Sequence, residues 1–452
     1  MKPAIAGESS RCGFDSGVEW VRFRAALPLG CKRFPTKRNE SMPVFARPIV
    51  NRTFASPVLL LAATLLLAGG CKSSAPTESV NPKNVPAAAP QINGQDVVTL
   101  QRKATEGGKT PEFLSATVIP GRGMNLFQIT ADLPGKGTTN IFFAPPLSEA
   151  QTKFTGTDAD KFGNASFGFG GAFLVPYPNR IRGKLSDDKQ SIVTSWHGHT
   201  LTLPANFSGK KPGAELHSIH GLILQSKTDD VKVADSADGQ TVTGTIHAGD
   251  FGGHWLSKTD LDFTIELAGK DVTATITAKN VGDQEEPMSI GWHPYFAIPS
   301  GDRTQARLHV PAAEMALVNN YDDVFPTGKL KPVKGTKYDF NAADGKALDG
   351  DFLDDNFSKL TRTDGAVDVR LTDPASNYGM HILGESPEIK TVQVYAPTDP
   401  GKNFVAIEQQ FNFADPFGKE WHGMDTGMVT LKPGASVTWK VKLELFTPPA
   451  AK

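Results

Sequence analysis

Residues 437–446 read VTWKVKLELF, and this stretch decides the expected fold. Its apolar residues, from Val437 to Leu445, occupy every second position, with polar or charged residues between them. In an extended chain a period of two places all of these apolar side chains on one face, which is the pattern of a half-buried β-strand. The stretch therefore predicts a strand with one face on a core and the other toward solvent.

The same period recurs from residue 96 onward. LDFTIEL (261–267) and VTATITAKN (272–280) alternate in this way, and the short AGKD between them predicts a hairpin. Further short strands are predicted at 231–234, 240–247, 368–372, 391–396 and 403–410. No stretch of ten or more residues shows an amphipathic helix pattern, and the 44 Gly and 33 Pro interrupt the chain every few residues. One sheet of so many strands would curl or split, so we expect an all-β fold, a large antiparallel β-sandwich, in one domain over 96–447.

The composition argues for a globular protein with a small ligand. The chain has 452 residues, of which 39% are hydrophobic and 21% charged, and its formal net charge is −1. Without a basic run beyond the N-terminal region, no nucleic-acid partner is expected, and a small neutral ligand fits better. We expect a monomer or homodimer.

The stretch FASPVLLLAATLLLAGGCKSS (54–74) has the layout of a secretory signal. Its apolar run, Val58 to Ala68, covers 11 residues, too few for a membrane-spanning helix of about 20. The ending LLLAGGC resembles the lipobox of bacterial lipoproteins, although Ala68 stands where Leu is most common. That resemblance implies that Cys71 is lipidated and becomes the first residue of the mature chain.

The signal layout also divides the N-terminal region. Because a signal peptide should begin near its basic residues, we hypothesise that translation starts at Met42 and that 1–41 is a mis-assigned extension. Residues 42–70 would be the lipoprotein signal peptide and 71–95 a flexible tether, rich in Ser, Pro, Ala and Asn. The expected location is the periplasmic side of the cell envelope, attached to the membrane by the lipid anchor only. Lys72 after the cysteine favours the outer membrane.

Two stretches hold polar residues suited to a sugar. In GGAFLVPYPNRIRG (170–183), prolines and glycine frame Asn179 and Arg180, an amide and a forked guanidinium that can bind hydroxyl groups. A structural turn with a surface arginine is the alternative. In FLDDNF (352–357), Asp354, Asp355 and Asn356 lie between aromatic residues, where hydroxyls and C–H faces of a sugar could bind; the alternative is a solvated acidic turn.

Two further stretches hold candidates for acid–base chemistry. In NFVAIEQQFNFADPFG (403–418), Glu408 shares a strand face with apolar residues, which is costly unless the carboxylate is paired or functional. Burial would raise its pKa toward that of a useful base. In SIGWHPYFAIP (289–299), His293 is a proton donor beside aromatic residues, or a structural histidine. The spacings in WHGH (196–199) and HSIH (217–220) could suit a metal, but no cysteine joins them, and no metal is expected.

Taken in order, these segments resemble the aldose 1-epimerase (galactose mutarotase-like) family. The similar segments are PNRIRG (178–183), IHG (219–221), GWHPYF (291–296), FPTGKLKPVKGTKYDF (325–340), LDDNF (353–357), AIEQQ (406–410) and LKPGASVTWKVKLEL (431–445). The resemblance spans about 96–447 with the order preserved. It implies a β-supersandwich and the interconversion of α and β anomers of free aldoses, with no cofactor.

The resemblance also implies roles for residues. His293 would be the acid and Glu408 the base, while Asn179, Arg180, His220 and Asp354 would bind the substrate. Trp292, Pro294, Tyr295 and Phe296 would hold the ring of the donor against a wall of the sugar pocket. For both groups to reverse roles, the histidine should have a pKa near neutrality and the glutamate a pKa raised by partial burial.

Departures from the family pattern put the substrate preference in doubt. Residues 217–222 read HSIHGL, where the family has an Asn and a second Gly, and Asp355 stands where a His is common. Three rival functions stay open: a catalytically silent carbohydrate-binding lipoprotein, a phosphosugar epimerase, and a glycoside hydrolase. A hydrolase would use two carboxylates and would leave His293 without a role. A phosphosugar enzyme would need extra Lys or Arg at the pocket.

Overall fold

Antiparallel strands build the described part of the chain, residues 89–105 and 108–449 of a computed structural model. The predicted start at Met42, the signal peptide (42–70) and the lipidated Cys71 lie outside these residues. None of the helices in the described ranges is long and apolar enough to cross a membrane.

The first described strand lies a few residues before the predicted boundary at residue 96. Strand Gln91–Ile92 pairs with Gln95–Asp96 in a small hairpin, and the side chain of Ile92 is buried. The end of the predicted tether therefore belongs to the domain.

The larger of the two main sheets has nine strands and contains the stretch that decided the fold. In spatial order its strands are Asp229–Ser236, Gly239–Gly249, Thr259–Leu267, Asp271–Asn280, Ser436–Phe446, Tyr378–Gly384, Val367–Asp373, Arg307–His309 and Lys346–Ala347. Ser436–Phe446 lies in the middle and alternates between buried and more exposed residues. Every pair in this sheet is antiparallel, and the hairpin predicted between 261–267 and 272–280 is confirmed.

The second main sheet has seven strands and carries most of the candidate residues. Its spatial order is Pro326–Pro332, Ala312–Val318, Leu353–Leu360, Thr391–Ala396, Phe404–Gln410, Gly291–Ala297 and Gly171–Leu174. We call Gly291–Ala297 the histidine strand and Phe404–Gln410 the glutamate strand. All seven residues of the glutamate strand are buried, and so are the first six of the histidine strand.

Smaller sheets and short helices complete the described part. A four-stranded sheet contains Val98–Gln101, Glu112–Ile119, Asn125–Leu133 and Gly137–Asn140. Two three-stranded sheets contain His199–Pro204, Ser191–Trp196 and Lys184–Leu185, and Phe207–Ser208, Leu216–Ile219 and Arg180–Ile181. Glu286–Met288 pairs with Val429–Leu431. The α-helix is Leu147–Lys153, and the 3₁₀-helices are Pro120–Arg122, Asp158–Asp160, Asn164–Phe167, Pro374–Ser376 and Lys419–Trp421.

The main core lies between the two large sheets. Trp439 of the nine-stranded sheet packs edge-on against Trp292 and Phe173 of the seven-stranded sheet, with ring centroids 6.2 and 6.0 Å away. Its indole Nε1 also donates a hydrogen bond of 3.0 Å to the carbonyl of Gln409. The predicted all-β sandwich of two packed sheets is confirmed, and the apolar face of 437–446 is the face that fills it.

Candidate active site

The pairing of two neighbouring strands brings His293 and Glu408 together. The histidine and glutamate strands are antiparallel, with Gly291 opposite Gln410 and Tyr295 opposite Ala406. Steps of two residues between these pairs place His293 opposite Glu408, on one face of the sheet. The His293 Nε2 atom lies 3.4 Å from Glu408 Oε1, and both side chains are buried.

Alternation along the histidine strand separates its aromatic residues onto two faces. Tyr295 shares the face of His293, with ring centroids 4.9 Å apart, and its hydroxyl donates to the carbonyl of Phe167. Trp292 points into the core, where its Nε1 donates to the carbonyl of Gly171, and Phe296 packs edge-on against it. The expectation that Trp292 and Phe296 hold the His293 ring against a wall of the pocket was wrong, because strand residues an odd number of positions from His293 face the opposite way.

The backbone turn at Asn179, which is in the left-handed conformation, positions the guanidinium of Arg180. Asn179 has φ of 62°, which asparagine tolerates better than most residues. Its side-chain Oδ1 accepts bonds from the backbone N–H and from Nη1 of Arg180, at 2.9 and 3.1 Å. Its carbonyl accepts the backbone N–H of His220 at 2.9 Å. Arg180 is buried, so the alternative of a surface arginine was wrong.

Asp354 lies on the same face as the acid–base pair and is connected to Asn179 through a glutamine. LDDNF belongs to strand Leu353–Leu360 rather than to a solvated turn. The Gln393 Nε2 donates to Asp354 Oδ1 at 2.8 Å, and Gln393 Oε1 accepts from the Asn179 amide at 3.2 Å. Arg180 Nη2 lies 4.0 Å from Asp354 Oδ2.

Gln393 is the residue that the sequence reasoning missed. It pairs with Glu408 in register and bridges Asn179 and Asp354. A signal was present in TVQVYA (391–396), where an amide lies between two valines, just as Glu408 lies on an otherwise apolar strand.

The other candidates of these stretches are not part of the pocket wall. Asp355 points to the opposite face of the sheet, where it accepts a 2.7 Å bond from the Tyr321 hydroxyl. Asn356 is buried without lining the pocket. His217 is buried between Phe207 and Phe325, with its Nδ1 bonded to the carbonyl of Glu215. In residues 89–105 and 108–449, no cluster of three or more His, Cys, Asp or Glu could hold a metal.

The residues brought together line one pocket of about 200 Å³. This volume is below the ~300–1,000 Å³ of pockets for drug-sized ligands, and it suits a small ligand. The candidates in its wall are Asn179, Arg180, His220, His293, Asp354 and Glu408. Aromatic rings and further polar groups complete the wall: Phe167, Phe207, Tyr295, Tyr321, Tyr395, Lys210, Asp322 and Gln393.

Burial opposes charge on both members of the acid–base pair. It lowers the pKa of His293 to about 4, and the positive charge of Arg180 acts in the same direction. It raises the pKa of Glu408 well above the usual value, an effect that the Asp354 carboxylate increases and the N–H donated by Gln410 opposes. The raised pKa of the glutamate agrees with expectation, whereas a histidine pKa near neutrality was wrong, since the imidazole is almost fully buried.

Burial also shifts the pKa values of His220 and Asp354, two of the residues predicted to bind the substrate. Burial lowers the pKa of His220 well below its usual value, with His293 and Arg180 adding to the effect. Burial raises the pKa of Asp354, which Arg180 opposes. A buried acid–base pair therefore shares its pocket with the Arg180 guanidinium, the Asp354 carboxyl group, the amides of Asn179 and Gln393 and the imidazole of His220, an arrangement suited to proton transfer on a polyhydroxylated ligand.

Comparison with known proteins places this geometry in a family. The family model for aldose 1-epimerase matches residues 143–444. The chain belongs to the aldose 1-epimerase family. The matched range contains all six candidate residues of the pocket.

Solved structures of the aldose 1-epimerase fold agree with the architecture. A galactose mutarotase-like protein from Clostridium acetobutylicum is 19% identical, with a TM-score of 0.58, over 77% of this chain and 98% of that one. An aldose epimerase homologue from C. elegans is 17% identical, with a TM-score of 0.56, over 77% and 99%. The galactose 1-epimerase from Lactobacillus acidophilus is 17% identical, with a TM-score of 0.54, over 78% and 99%. No curated protein matches the chain.

Proposed function

We propose that this protein is an active aldose 1-epimerase that interconverts the α and β anomers of free aldoses. The observation that carries the proposal is the buried contact of 3.4 Å between His293 Nε2 and Glu408 Oε1 in the wall of a small pocket. A donor and an acceptor of protons side by side can serve the ring oxygen and the anomeric hydroxyl, which are attached to the same carbon of an aldose.

The reaction needs one proton to leave the sugar and one to arrive. Glu408 removes the proton of the anomeric hydroxyl while His293 protonates the ring oxygen, and the bond between C1 and the ring oxygen breaks as the C1 carbonyl forms. Rotation about the C1–C2 bond exposes the other face of the aldehyde. The same two groups, with roles reversed, then close the ring to the other anomer.

The shifted pKa values favour the ring-opening direction of this proton transfer. Ring opening starts from protonated His293 and ionised Glu408, and it ends with both groups neutral. Burial favours the neutral forms of both, because charge is costly in a desolvated pocket. The pair thus loses its separated charges as the open-chain aldehyde forms.

The other polar groups of the pocket would hold the sugar. Arg180 is a forked donor, and the Asp354 carboxyl group accepts hydrogen bonds from hydroxyls, with Asn179 and Gln393 fixing both side chains. His220 lies edge-on to His293, with ring centroids 4.8 Å apart, and its Nδ1 has no partner among the described residues. That nitrogen is buried, while the His220 ring contributes to the pocket wall.

A second function is favoured by one specific observation. With a pKa of about 4, His293 is neutral at pH 7 unless the sugar restores its charge. A pocket that binds an aldose without supplying the proton would be a catalytically silent carbohydrate-binding protein.

Polarimetry on freshly dissolved α-D-glucose and α-D-galactose tests both functions. The purified protein should accelerate the approach to equilibrium, and His293→Ala or Glu408→Ala should lower kcat by about 10²-fold or more. His247→Ala is the matched control, because His247 forms a 2.9 Å pair with Asp260 on the exposed surface. A rate like the wild type in either pocket variant would remove that residue from the mechanism. Sugar binding by calorimetry without any acceleration would establish the silent binding protein instead.

A further inference from the structure

We propose that Tyr321 is a specificity-determining residue of the pocket, which selects among aldoses that differ at carbons remote from C1. Its ring is fixed by Asp355, the residue at which this chain departs from the family pattern, and it favours the epimer that turns a C–H bond toward it. This inference rests on the aldose chemistry proposed above and concerns the substrate preference of the same site.

Tyr321 belongs to loop 319–325, which is closed by its own hydrogen bonds. The backbone N–H of Asn319 donates to the carbonyl of Phe325 at 2.8 Å, and the N–H of Phe325 donates to Asn319 Oδ1 at 3.0 Å. The Asn320 Oδ1 atom accepts two further backbone N–H groups of the loop, at 2.7 and 2.8 Å. The backbone that carries Tyr321 is therefore fixed at the pocket.

The hydroxyl of Tyr321 is committed to two groups outside the pocket wall. It donates to Asp355 Oδ1 at 2.7 Å and lies 3.0 Å from the Tyr338 hydroxyl. Because a phenol has a single O–H, Tyr338 is the donor of the second bond. Asp355 is fully buried, and its Oδ2 accepts the backbone N–H of Asp354 at 3.2 Å. Tyr321 lines the pocket but neither partner of its hydroxyl does, so the ring is the part that a ligand meets.

A third contact fixes the plane of the ring. Phe352 packs edge-on against Tyr321, with ring centroids 5.4 Å apart, and edge-on against Tyr395, at 6.1 Å. Tyr395 also lines the pocket, and it lies opposite Asp354 in the register of their two strands. This end of the pocket therefore combines two supported aromatic rings with the Asp354 carboxyl group.

This end of the pocket is remote from the acid–base pair. Asp355 belongs to strand Leu353–Leu360, which is separated from the glutamate strand by one strand and from the histidine strand by two. With neighbouring strands ~4.8 Å apart, these separations are ~10 and ~14 Å. The loop of Tyr321 follows strand Ala312–Val318, which lies on the other side of Leu353–Leu360. Tyr321 would therefore meet carbons of the sugar remote from C1.

A ring with a committed hydroxyl distinguishes C–H bonds from hydroxyl groups. Tyr321 cannot donate a hydrogen bond to the sugar, because its one O–H is given to Asp355. A sugar hydroxyl turned toward the ring would give up its bonds to water without replacement, which is unfavourable, whereas a C–H bond packs against the ring. Two epimers differ in which of these groups they present at one carbon. Tyr321 therefore favours the epimer that presents the C–H bond.

The experiment compares epimers with the full-length protein. Anomer exchange above the buffer rate is measured by NMR for glucose and its epimers at C2, C3 and C4, which are mannose, allose and galactose. In the wild type, kcat/KM should differ by about tenfold or more between glucose and at least one epimer. Tyr321→Leu should lower the largest ratio by about tenfold, mainly through KM. Tyr378→Phe is the matched control, because Tyr378 is buried in the nine-stranded sheet and its hydroxyl contacts Met380 Sδ; it should leave the ratio unchanged.

A second set of variants tests the support of the ring. Tyr321→Phe keeps the ring but loses both bonds of the hydroxyl, so it should lower the ratio by less than Tyr321→Leu. Asp355→Asn keeps an oxygen that can accept the Tyr321 hydroxyl and should keep the ratio, whereas Asp355→Leu should lower it as Tyr321→Phe does. If Asp355→Leu does not fold by circular dichroism, Tyr338→Phe takes its place, since it removes the other bond of the hydroxyl.

The possible results separate the two proposals. Equal kcat/KM for glucose and its epimers in the wild type overturns the inference. An unchanged ratio in Tyr321→Leu overturns it too, and so does an equal loss on all four sugars, which would make Tyr321 a structural residue. If the wild type accelerates no sugar, the epimerase proposal fails, and calorimetry then decides the inference by itself. Affinities for the four sugars must differ by about tenfold, and Tyr321→Leu must reduce that difference.

Discussion

Strand Ser436–Phe446 and the glutamate strand both place successive side chains on opposite faces of their sheets, but their polar side chains meet different surroundings. Along most of the first strand, buried residues alternate with exposed or half-buried ones, so the polar positions meet water. In the second strand every residue is buried, and the polar positions meet other protein groups. Glu408 accepts a 2.7 Å bond from Gln410 Nε2 and contacts His293, while Gln409 donates to the carbonyls of Val367 and Ile382.

This difference shows which polar residues of a strand can indicate a functional site. A polar residue on a face open to solvent costs little and needs no explanation. A polar residue in a strand covered on both faces must find a partner, because an unpartnered buried polar group costs ~1–3 kcal/mol. In the glutamate strand such residues lie on both faces, with Glu408 on the pocket side and Gln409 on the core side.

The largest expected effect tests the core side of the comparison. Trp439→Ala should lower the free energy of unfolding by ~3–5 kcal/mol, because the indole is fully buried between the two sheets and its N–H bond to Gln409 would be lost. Urea titration followed by circular dichroism measures the change. Thr438→Ala, on the exposed face of the same strand, loses only a cross-strand contact with Thr277 and should cost less than ~1 kcal/mol. Similar losses in the two variants would contradict the assignment of faces.

A second buried carboxyl group tests whether burial alone marks function. Glu286 is buried in strand Glu286–Met288, outside the pocket, and both its oxygens contact the Thr259 hydroxyl. Burial raises its pKa from 4.5 to about 7. The stability that this protonated group provides is complete below pH ~4.5 and is lost as pH rises through about 7. The loss corresponds to about 3 kcal/mol for the full shift.

Glu286→Gln cannot ionise and removes this dependence. The difference in unfolding free energy between the variant and the wild type should move by about 3 kcal/mol in favour of the variant between pH 4.5 and 8.5. Urea titrations at both pH values measure it, and kcat should stay unchanged, since Glu286 does not line the pocket. A constant difference across this range would show that folding does not raise the pKa of Glu286.

The strands of the nine-stranded sheet were well predicted from the sequence. Along them, apolar residues that face the core alternate with polar residues that face solvent. Strands predicted at 261–267 and 272–280 occur as Thr259–Leu267 and Asp271–Asn280. The seven-stranded sheet was harder to interpret. No strand was predicted at LDDNF, which allowed a solvated acidic turn, because the polar residues of this strand are covered by protein instead of meeting water.

The acid–base pair of the site was predictable because each residue type was out of place. Glu408 on an apolar strand and His293 among aromatics were such positions, and both lie in the pocket. The network through Gln393 depends on register between strands far apart in sequence, and an amide between valines gives little indication of its partners. The lowered pKa of His293 depends on how completely the fold buries the ring, and no local pattern reports that.

The smallest expected effect concerns a residue that contacts the base without lining the pocket. Gln410 donates its Nε2–H to Glu408 Oε2 at 2.7 Å, which stabilises the carboxylate and opposes the rise in its pKa. Gln410→Leu removes that donor at similar volume. The pKa of Glu408 should then rise further, and because the reaction needs the ionised base, the acidic limb of the pH profile of kcat/KM should move to higher pH.

A hydrogen bond to a charged group contributes ~1.5–3 kcal/mol, so the expected displacement is ~1–2 pH units. Anomer exchange measured between pH 4 and 9 determines it, with Gln409→Leu as the control from the core side of the same strand. Gln409 donates to backbone carbonyls of the neighbouring sheet, so its loss should lower stability and leave the acidic limb in place. If both variants displaced the limb equally, the two faces of the glutamate strand would not be electrostatically distinct. The position of the acidic limb in Gln410→Leu therefore distinguishes a residue that stabilises the Glu408 carboxylate from one that stabilises only the fold.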